Sequence, residues 1–245
     1  MNTSDIKNKS VGEIVKEDFS TVQIFKKYGI DFCCHGSEKL GTACEKQQVD
    51  VDKVIGELQK PAVQSEGAVK IPFGSWPLDL LIDYVLKIHH RGIRQNGPEL
   101  MELLDKVKEV HGDNHPELFE LSDLVFESFH DLEKHLQKEE NVLFPYLYDL
   151  YKASEAKQPA GQMHCGTIQN PIRVMMMEHE AEGERYKHIR VLTNNFTTPE
   201  DGCASYHLLM QKLEQFVDAL FEHIHIENNI IFPDFIKLEE EWVEM

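Results

Sequence analysis

The chain has 245 residues, of which 41% are hydrophobic, and its formal net charge is −18. This length suits one large domain or a main domain with a small appendage, and the acidic balance argues against nucleic acid or anionic membrane as a main partner. No segment approaches the roughly 18 unbroken apolar residues of a membrane helix, and the N-terminus lacks the apolar run of a signal peptide. We therefore expect a cytoplasmic protein without a membrane partner.

Residues 1–60 predict a small helical domain that contains three of the five cysteines. Ser10 and Glu13 fit a capping box at a helix start, and Gly29 suits the end of a helix that begins near Thr21. Cys33 and Cys34 follow in a loop. In a cytoplasmic chain, an odd number of cysteines favours free thiols, redox groups or metal ligands over a disulfide framework. Residues 61–76, rich in proline and glycine, predict a linker.

Residues 77–245 predict a four-helix bundle, so the expected class is all-α with a small helical domain before the bundle. No strand-like alternation competes with the helical periodicity. The Asn96-Gly97-Pro98 sequence predicts a helix break, because proline removes a backbone donor and glycine weakens a helix interior. The predicted helices cover about 77–95, 99–110, 116–152, 171–192 and 205–236.

A repeat carries the chemistry of the bundle. The sequence from His135 is HLQKEENVLFPYLYDL, and the sequence from His223 is HIHIENNIIFPDFIKL. Residues four apart share a helix face, so His135 pairs with Glu139 and His223 pairs with Glu227. Two related copies are a natural way to build a site for two equivalent metals.

The phase of the apolar residues places both pairs on seams that face the bundle core. The first seam comprises Leu121, Val125, Ser128, Leu132, His135, Glu139 and Val142, and the second comprises Leu213, Phe216, Leu220, His223, Glu227 and Ile230. A buried carboxylate without a partner costs several kcal/mol even after relaxation. Two of them at equivalent levels therefore favour cations over a pair of hydrogen-bonded core histidines.

Further ligands are expected from the other two long helices. A seam through Ile172, Met176, His179, Gly183 and Tyr186 predicts that His179 faces inward. His89 and His90 are adjacent, so we expect one of them to face the core, and the spacing through Leu78, Ile82 and Val85 favours His89. His111 ends the predicted short helix, where it is either a fifth imidazole ligand or a capping histidine.

Histidine nitrogens with bridging carboxylates inside a four-helix bundle suit iron or manganese. A structural zinc site would more often recruit cysteines, and calcium would take oxygen ligands alone. A mononuclear site would leave at least one carboxylate uncompensated. We therefore favour two iron ions.

At this point the chain resembles the RIC ("repair of iron centres") family of bacterial di-iron proteins with a hemerythrin-like domain. The resemblance covers nearly the whole chain, and the combination of a vicinal-cysteine domain with the His-x-x-x-Glu helices is highly specific. The matching segments are 31–36, 77–78, 110–113, 138–140, 178–180 and 227–229.

The resemblance implies two non-haem iron ions joined by an Fe–O–Fe or carboxylate bridge. It implies His90, His111, His135, His179 and His223 as nitrogen ligands, with Glu139 and Glu227 as bridging carboxylates. It thus selects His90, where the apolar spacing selects His89. Oxygen-carrying hemerythrins have a further histidine at the position where this chain has Gly183. This difference argues against an oxygen carrier.

The resemblance also implies a function in stress response, namely repair of iron–sulfur clusters damaged by nitric oxide or oxidative stress, by donating iron. The implied partners are damaged iron–sulfur proteins, with nitric oxide or O2 as small ligands. Reduction of nitric oxide or nitrite is one alternative, and a sensor or carrier of O2 or nitric oxide is another. Cys33, Cys34 and Glu178 are candidate accessory residues, and the N-terminal domain is a candidate homodimer contact.

Overall fold

A computed structural model of the chain describes residues 3–60 and 71–243. The elements in these residues are helical, which confirms the all-α class. Residues 61–70 of the predicted linker lie outside the described residues. None of the described helices is long and apolar enough to span a membrane. The α-helices are α1 (Thr3–Asn8), α2 (Val11–Glu17), α3 (Val22–Lys27), α4 (Leu40–Lys46), α5 (Val51–Leu58), α6 (Leu78–Tyr84), α7 (Arg91–His111), α8 (Glu117–Lys138), α9 (Phe144–Glu155), α10 (Gln169–Leu192), α11 (Ala204–Ile226) and α12 (Phe232–Trp242).

Short π-helical turns join six of these helices in pairs. They cover Val85–His90 between α6 and α7, Glu139–Leu143 between α8 and α9, and Glu227–Ile231 between α11 and α12. With α10, residues 71–243 therefore contain four long helical segments. Short 3-10 turns lie at Phe19–Thr21 and Phe73–Ser75.

The chain divides into two compact units. The first comprises Met1–Leu81 together with Ile224–Lys237, and the second comprises Ile82–His223 together with Leu238–Met245. The 224–237 segment of the last long helix thus packs with the N-terminal helices.

In the first unit, local signals place the short helices as expected. Ser10 Oγ accepts the backbone N–H of Glu13 at 3.1 Å, and the Glu13 carboxylate accepts the backbone N–H of Ser10 at 2.8 Å, which confirms the capping box. Gly29 follows α3 with a φ of +66°, a conformation that favours glycine. The apolar core of this unit includes Val11, Val15, Phe25, Leu40, Val54, Ile55 and Phe73.

In the second unit, α7 packs on α8 and α8 packs on α10. The predicted break at Asn96-Gly97-Pro98 is wrong, because α7 runs without interruption from Arg91 to His111 with Pro98 inside it. The buried residues Ile93, Leu100, Leu104 and Val107 form one apolar face across the proline. Packing of this face offsets the lost backbone hydrogen bond.

Gly97 explains how closely α7 approaches α8. A Cβ atom at Gly97 would lie 2.9 Å from Cε1 of the Phe129 ring, whereas a Cβ atom at Gly92 would meet only the Asn96 side-chain amide at 3.9 Å. The absence of a side chain at Gly97 therefore lets the ring of Phe129 lie against the α7 backbone.

We expect Gly97→Ala and Gly92→Ala to change stability in opposite directions. Gly97→Ala should lower the free energy of unfolding by about 1–3 kcal/mol because the new methyl group overpacks the Phe129 contact. Gly92→Ala, in the same helix, should raise it by roughly 0.5–1 kcal/mol through helix propensity. Urea unfolding followed by circular dichroism measures both, and equal effects of the two substitutions would contradict the close approach.

Candidate metal centre

Five buried side chains converge in the second unit. His90 lies at the end of the π turn before α7, His135 on α8, Glu139 directly after α8, His179 on α10 and His223 on α11. Nε2 of His135 lies 3.0 Å from Nε2 of His179. The ring centroids of His90 and His223 lie 5.2 Å apart. Side chains from four different helical segments therefore meet at one level of the bundle.

The Glu139 carboxylate lies between two of these imidazoles. Its Oε1 is 3.4 Å from Nε2 of His135, and its Oε2 is 3.3 Å from Nε2 of His90. Glu139 and His90 are both completely buried. The two oxygens thus face histidines on opposite sides, which is the arrangement expected of a carboxylate that bridges two cations.

The cluster separates into two overlapping groups around His223. Potential ligand atoms of His90, Glu139 and His223 all lie within 4.8 Å of one another, and so do those of His135, His179 and His223. Glu227, also completely buried, follows His223 by one turn of the same continuous helix. Its position after His223 repeats the position of Glu139 after His135.

Carboxylates outside the cluster orient two of the histidines. Oε2 of Glu178 lies 2.8 Å from Nδ1 of His135, and Oε1 of Glu140 lies 2.9 Å from Nδ1 of His90. Since an ionised carboxylate only accepts hydrogen bonds, each Nδ1 carries the proton and each Nε2 presents its lone pair to the interior. The sequence indicated Glu178 only as an accessory residue, and this orienting contact was not predicted.

Basic residues keep both outer carboxylates ionised. The hydrogen bond with His135, followed by contact with Lys138, lowers the pKa of Glu178 to about 2. Burial alone would raise the pKa of Glu140, but hydrogen bonds from Arg94 and His90 outweigh burial, so this pKa lies below its ordinary value. Arg94 Nη1 donates to Glu140 Oε1 at 2.7 Å. The outer carboxylates therefore act as fixed acceptors.

The π turn after Glu139 shifts the buried seam by one residue. Val142, expected on the seam, is 40% exposed, and Leu143 is buried in its place. The backbone N–H of Phe144 bonds to the carbonyl of Glu139, five residues back, so one extra residue is accommodated in this turn. The expectation for Val142 is wrong because a constant helical period was assumed.

The expected seam on α10 is wrong at one position. Met175 is buried, whereas Met176, expected on that seam, is 42% exposed, and Met177 is exposed as well. His179 and Tyr186 nevertheless face inward as expected. From Ile172 the buried face advances by three residues and then by four, so it reaches His179 through Met175.

Both histidines of the adjacent pair are buried, which corrects the expectation that one of them faces the core. They belong to the π turn Val85–His90 and point to different partners. His90 lies against Glu139, whereas His89 stacks on His223 with ring centroids 5.6 Å apart. His89 thus borders the cluster without joining either group of potential ligand atoms.

His111 lies far from the cluster. It ends α7, 21 residues of continuous helix after His90, so the two residues are separated by about 30 Å along the axis. Its ring contacts Tyr206, with centroids 5.4 Å apart. The structure therefore does not bring His111 to the other expected ligands, since the helix break that would have returned it to them is absent.

His111 instead lies beside Cys203, a pairing that the sequence did not predict. Cys203 is exposed and lies directly before α11. The neighbouring His111 ring, followed by the backbone N–H groups of Tyr206 and Ser205, lowers the pKa of Cys203 to about 7. A cysteine just before a predicted helix was the available signal, because helix N-termini favour thiolates.

Cys33 and Cys34 belong to the first unit and form no disulfide with each other, and their sulfur atoms lie 3.7 Å apart. Cys33 is buried and Cys34 is half-buried. The carboxylate of Asp31 caps their loop by accepting the backbone N–H groups of both residues, at 3.1 Å and 3.0 Å. The Asn229 side-chain amide donates to the Cys33 carbonyl at 3.0 Å and anchors the loop to the 224–237 segment.

Comparison with known proteins now bears on the identity of this cluster. Residues 81–235 match the Hemerythrin HHE cation binding domain, and residues 7–62 match ScdA_N, a domain of unknown function. The iron-sulfur cluster repair protein YtfE of Yersinia pseudotuberculosis serotype O:1b (strain IP 31758) is 32% identical over 96% of this chain and 100% of that protein. YtfE of Yersinia pestis (strain Pestoides F) is 31% identical over the same shares. The chain belongs to the RIC family.

For this RIC-family chain, the cluster lies inside the part that matches the cation-binding domain. The donor set fits a cation, since imidazole nitrogens and a buried carboxylate with oriented neighbours are ligands of iron and manganese. The vicinal cysteines lie in the part that matches ScdA_N.

We expect the alkylation rate of Cys203 to rise with pH around a midpoint of about 7, because the His111 ring stabilises the thiolate. His111→Leu should move this midpoint towards the ordinary thiol value of roughly 8.5. Iodoacetamide labelling across a pH series, read by peptide mass spectrometry, measures both. Cys165, also exposed, is the internal control, and its labelling should not respond to His111→Leu. An unchanged Cys203 midpoint in the variant would contradict the pairing.

Proposed function

We propose that this chain binds two non-haem iron ions and repairs damaged iron–sulfur clusters by donating iron. The observation that carries the proposal is the buried Glu139 carboxylate, whose two oxygens face His135 and His90 on opposite sides. The names of the Yersinia relatives support the repair function, since both are iron-sulfur cluster repair proteins.

Each iron ion would be held by histidines from one of the two groups. His90 and His223 would hold one ion, and His135 and His179 would hold the other, with Glu139 between the two. Glu227 would be the second bridging carboxylate, because it follows His223 as Glu139 follows His135 in the repeated sequence. Bound there, the ions would supply a redox-active pair with exchangeable iron.

The chemistry of the donors favours release. Imidazole and carboxylate ligands hold ferrous iron less tightly than the thiolates of an iron–sulfur cluster would. The outer carboxylates of Glu140 and Glu178 hold His90 and His135 in one tautomer, so these ligands keep their orientation when an ion leaves. A site that persists without its ions can be loaded again.

The vicinal cysteines have an accessory role in this proposal, as thiol ligands that receive iron in transit. Potential ligand atoms of Asp31, Cys33 and Cys34 lie within 4.8 Å of one another. Hydrogen bonding with Cys34 and burial raise the pKa of Cys33 well above its ordinary value. A cation in contact with the sulfur would favour the thiolate over the thiol. Cys33 would therefore lose its proton only when a metal ion reaches it.

We expect anaerobic loading with ferrous iron to give about two iron ions per chain, exchange-coupled in the Mössbauer spectrum after oxidation. Glu139→Ala/Glu227→Ala should abolish the coupling, because both bridging carboxylates are removed. Glu127→Ala/Glu214→Ala, which removes one glutamate from each of the same two helices outside the cluster, should keep both ions. One ion per chain would overturn the two-iron site, and coupling that survives the first variant would overturn the bridging role of Glu139 and Glu227.

Iron donation predicts recovery of a purified dehydratase whose [4Fe–4S] cluster has been oxidised to [3Fe–4S] with loss of one iron, when dithionite is present as the reductant. Its activity should return in proportion to the iron lost from the loaded chain. Cys33→Ser/Cys34→Ser should slow the recovery several-fold without changing the iron content, whereas the exposed pair Cys165→Ser/Cys203→Ser should leave it unchanged. Catalytic consumption of nitric oxide without loss of iron would instead favour the reductase.

A further inference from the structure

A cavity of about 320 Å³ lies in the second unit beside the histidine cluster. Its polar lining includes Tyr84, His89, Lys212 and Glu222. Ile88 also lines the cavity and its side chain is exposed, so the cavity reaches the protein surface at this residue. None of these polar residues has a role in the proposed two-iron site.

His89 is the deepest polar group of the cavity. It is only 5% exposed, and its Nε2 atom has no hydrogen-bond partner among the described residues. The nearest carboxylate oxygen, Oε1 of Glu222, is 3.6 Å away, which is too long for a hydrogen bond. An imidazole nitrogen that is buried without a partner is costly unless a ligand uses it.

Glu222 supplies a half-buried carboxylate opposite this nitrogen. Its Oε1 accepts the hydroxyl of Tyr84 at 2.8 Å, which fixes the orientation of the side chain. Lys212, the cation at the cavity rim, donates to Glu99 at 3.0 Å. Much of the Lys212 charge is therefore balanced by Glu99.

The pair lies one residue away from two proposed iron ligands. His89 precedes His90, and Glu222 precedes His223. The His89 ring stacks on the His223 ring with centroids 5.6 Å apart and planes inclined by 15°. Because one imidazole borders both the cavity and His223, an ion that left His223 towards the cavity would meet His89 and Glu222 first.

We infer that His89 and Glu222 form a transit site through which ferrous iron passes between the histidine cluster and the cavity. The inference rests on the proposed iron-donating function. Two donor atoms that share one ion at about 2.1 Å each lie roughly 3–4 Å apart, as these two do. One imidazole and one carboxylate, completed by water, suit a divalent cation that is held briefly.

The test compares wild type with His89→Phe/Glu222→Gln, both loaded anaerobically with ferrous iron. Phenylalanine retains a ring to stack on His223, and glutamine retains an oxygen for the Tyr84 hydroxyl. Iron content and Mössbauer spectrum should match wild type, whereas capture of iron by a ferrous chelator should be about tenfold slower, the usual size of outer-shell effects. The matched control is His188→Phe/Glu120→Gln, an exposed His–Glu pair, which should leave the rate unchanged.

A second readout does not depend on iron release. In crystals soaked with Mn²⁺, anomalous scattering should show an ion between His89 Nε2 and Glu222 Oε1 in wild type and none in Glu222→Gln. Capture that is unchanged or faster in a double variant with normal iron content would overturn the transit site and leave the proposed function intact. A wild-type chain that binds no iron would overturn the proposed function and this inference together.

Discussion

Glu139 is completely buried, and each of its carboxylate oxygens faces an imidazole nitrogen from a different helical segment. Removing a carboxylate from water costs several kcal/mol even after relaxation, so this residue constrains everything around it. His90 and His135 must approach it from opposite sides, and their outer nitrogens must be held by Glu140 and Glu178. The arrangement of the long helices in the second unit can be understood as the framework that meets these requirements.

The π turns at Glu139–Leu143 and Glu227–Ile231 follow from the same constraint and from the repeated Phe-Pro sequence. Pro145 and Pro233 lack a backbone N–H, and a proline ring clashes with the carbonyl four residues back in an α-helix. A wider turn immediately before each proline relieves this conflict, and in both copies it begins at the buried glutamate. The repeat therefore encodes a change of helical phase as well as a His–Glu pair.

Sequence periodicity predicted the site well where the helical period is constant and poorly where it changes. His135, Glu139, His179 and His223 precede or begin the π turns or lie in an uninterrupted helix, and the predicted seams located them as buried. Val142 lies within a π turn and His89 and His90 end one, so a constant period misplaced all three. His111 failed for another reason, since Gly97 and Pro98 indicate a break by local propensity while the packing of α7 keeps the helix continuous.

The inner carboxylate of Glu139 and the outer carboxylates of Glu140 and Glu178 have different roles in the proposed iron donation. A site that never released its ions would store iron. A site whose histidines were not held in place would lose its geometry when the ions left. Contacts with His135 and Lys138 lower the pKa of Glu178, and contacts with Arg94 and His90 lower the pKa of Glu140, so both carboxylates stay ionised and hold the histidines in one tautomer. Glu139, in contrast, has its buried charge compensated best when cations are present. If the chain donates iron as proposed, the burial of Glu139 provides a driving force for taking up iron again.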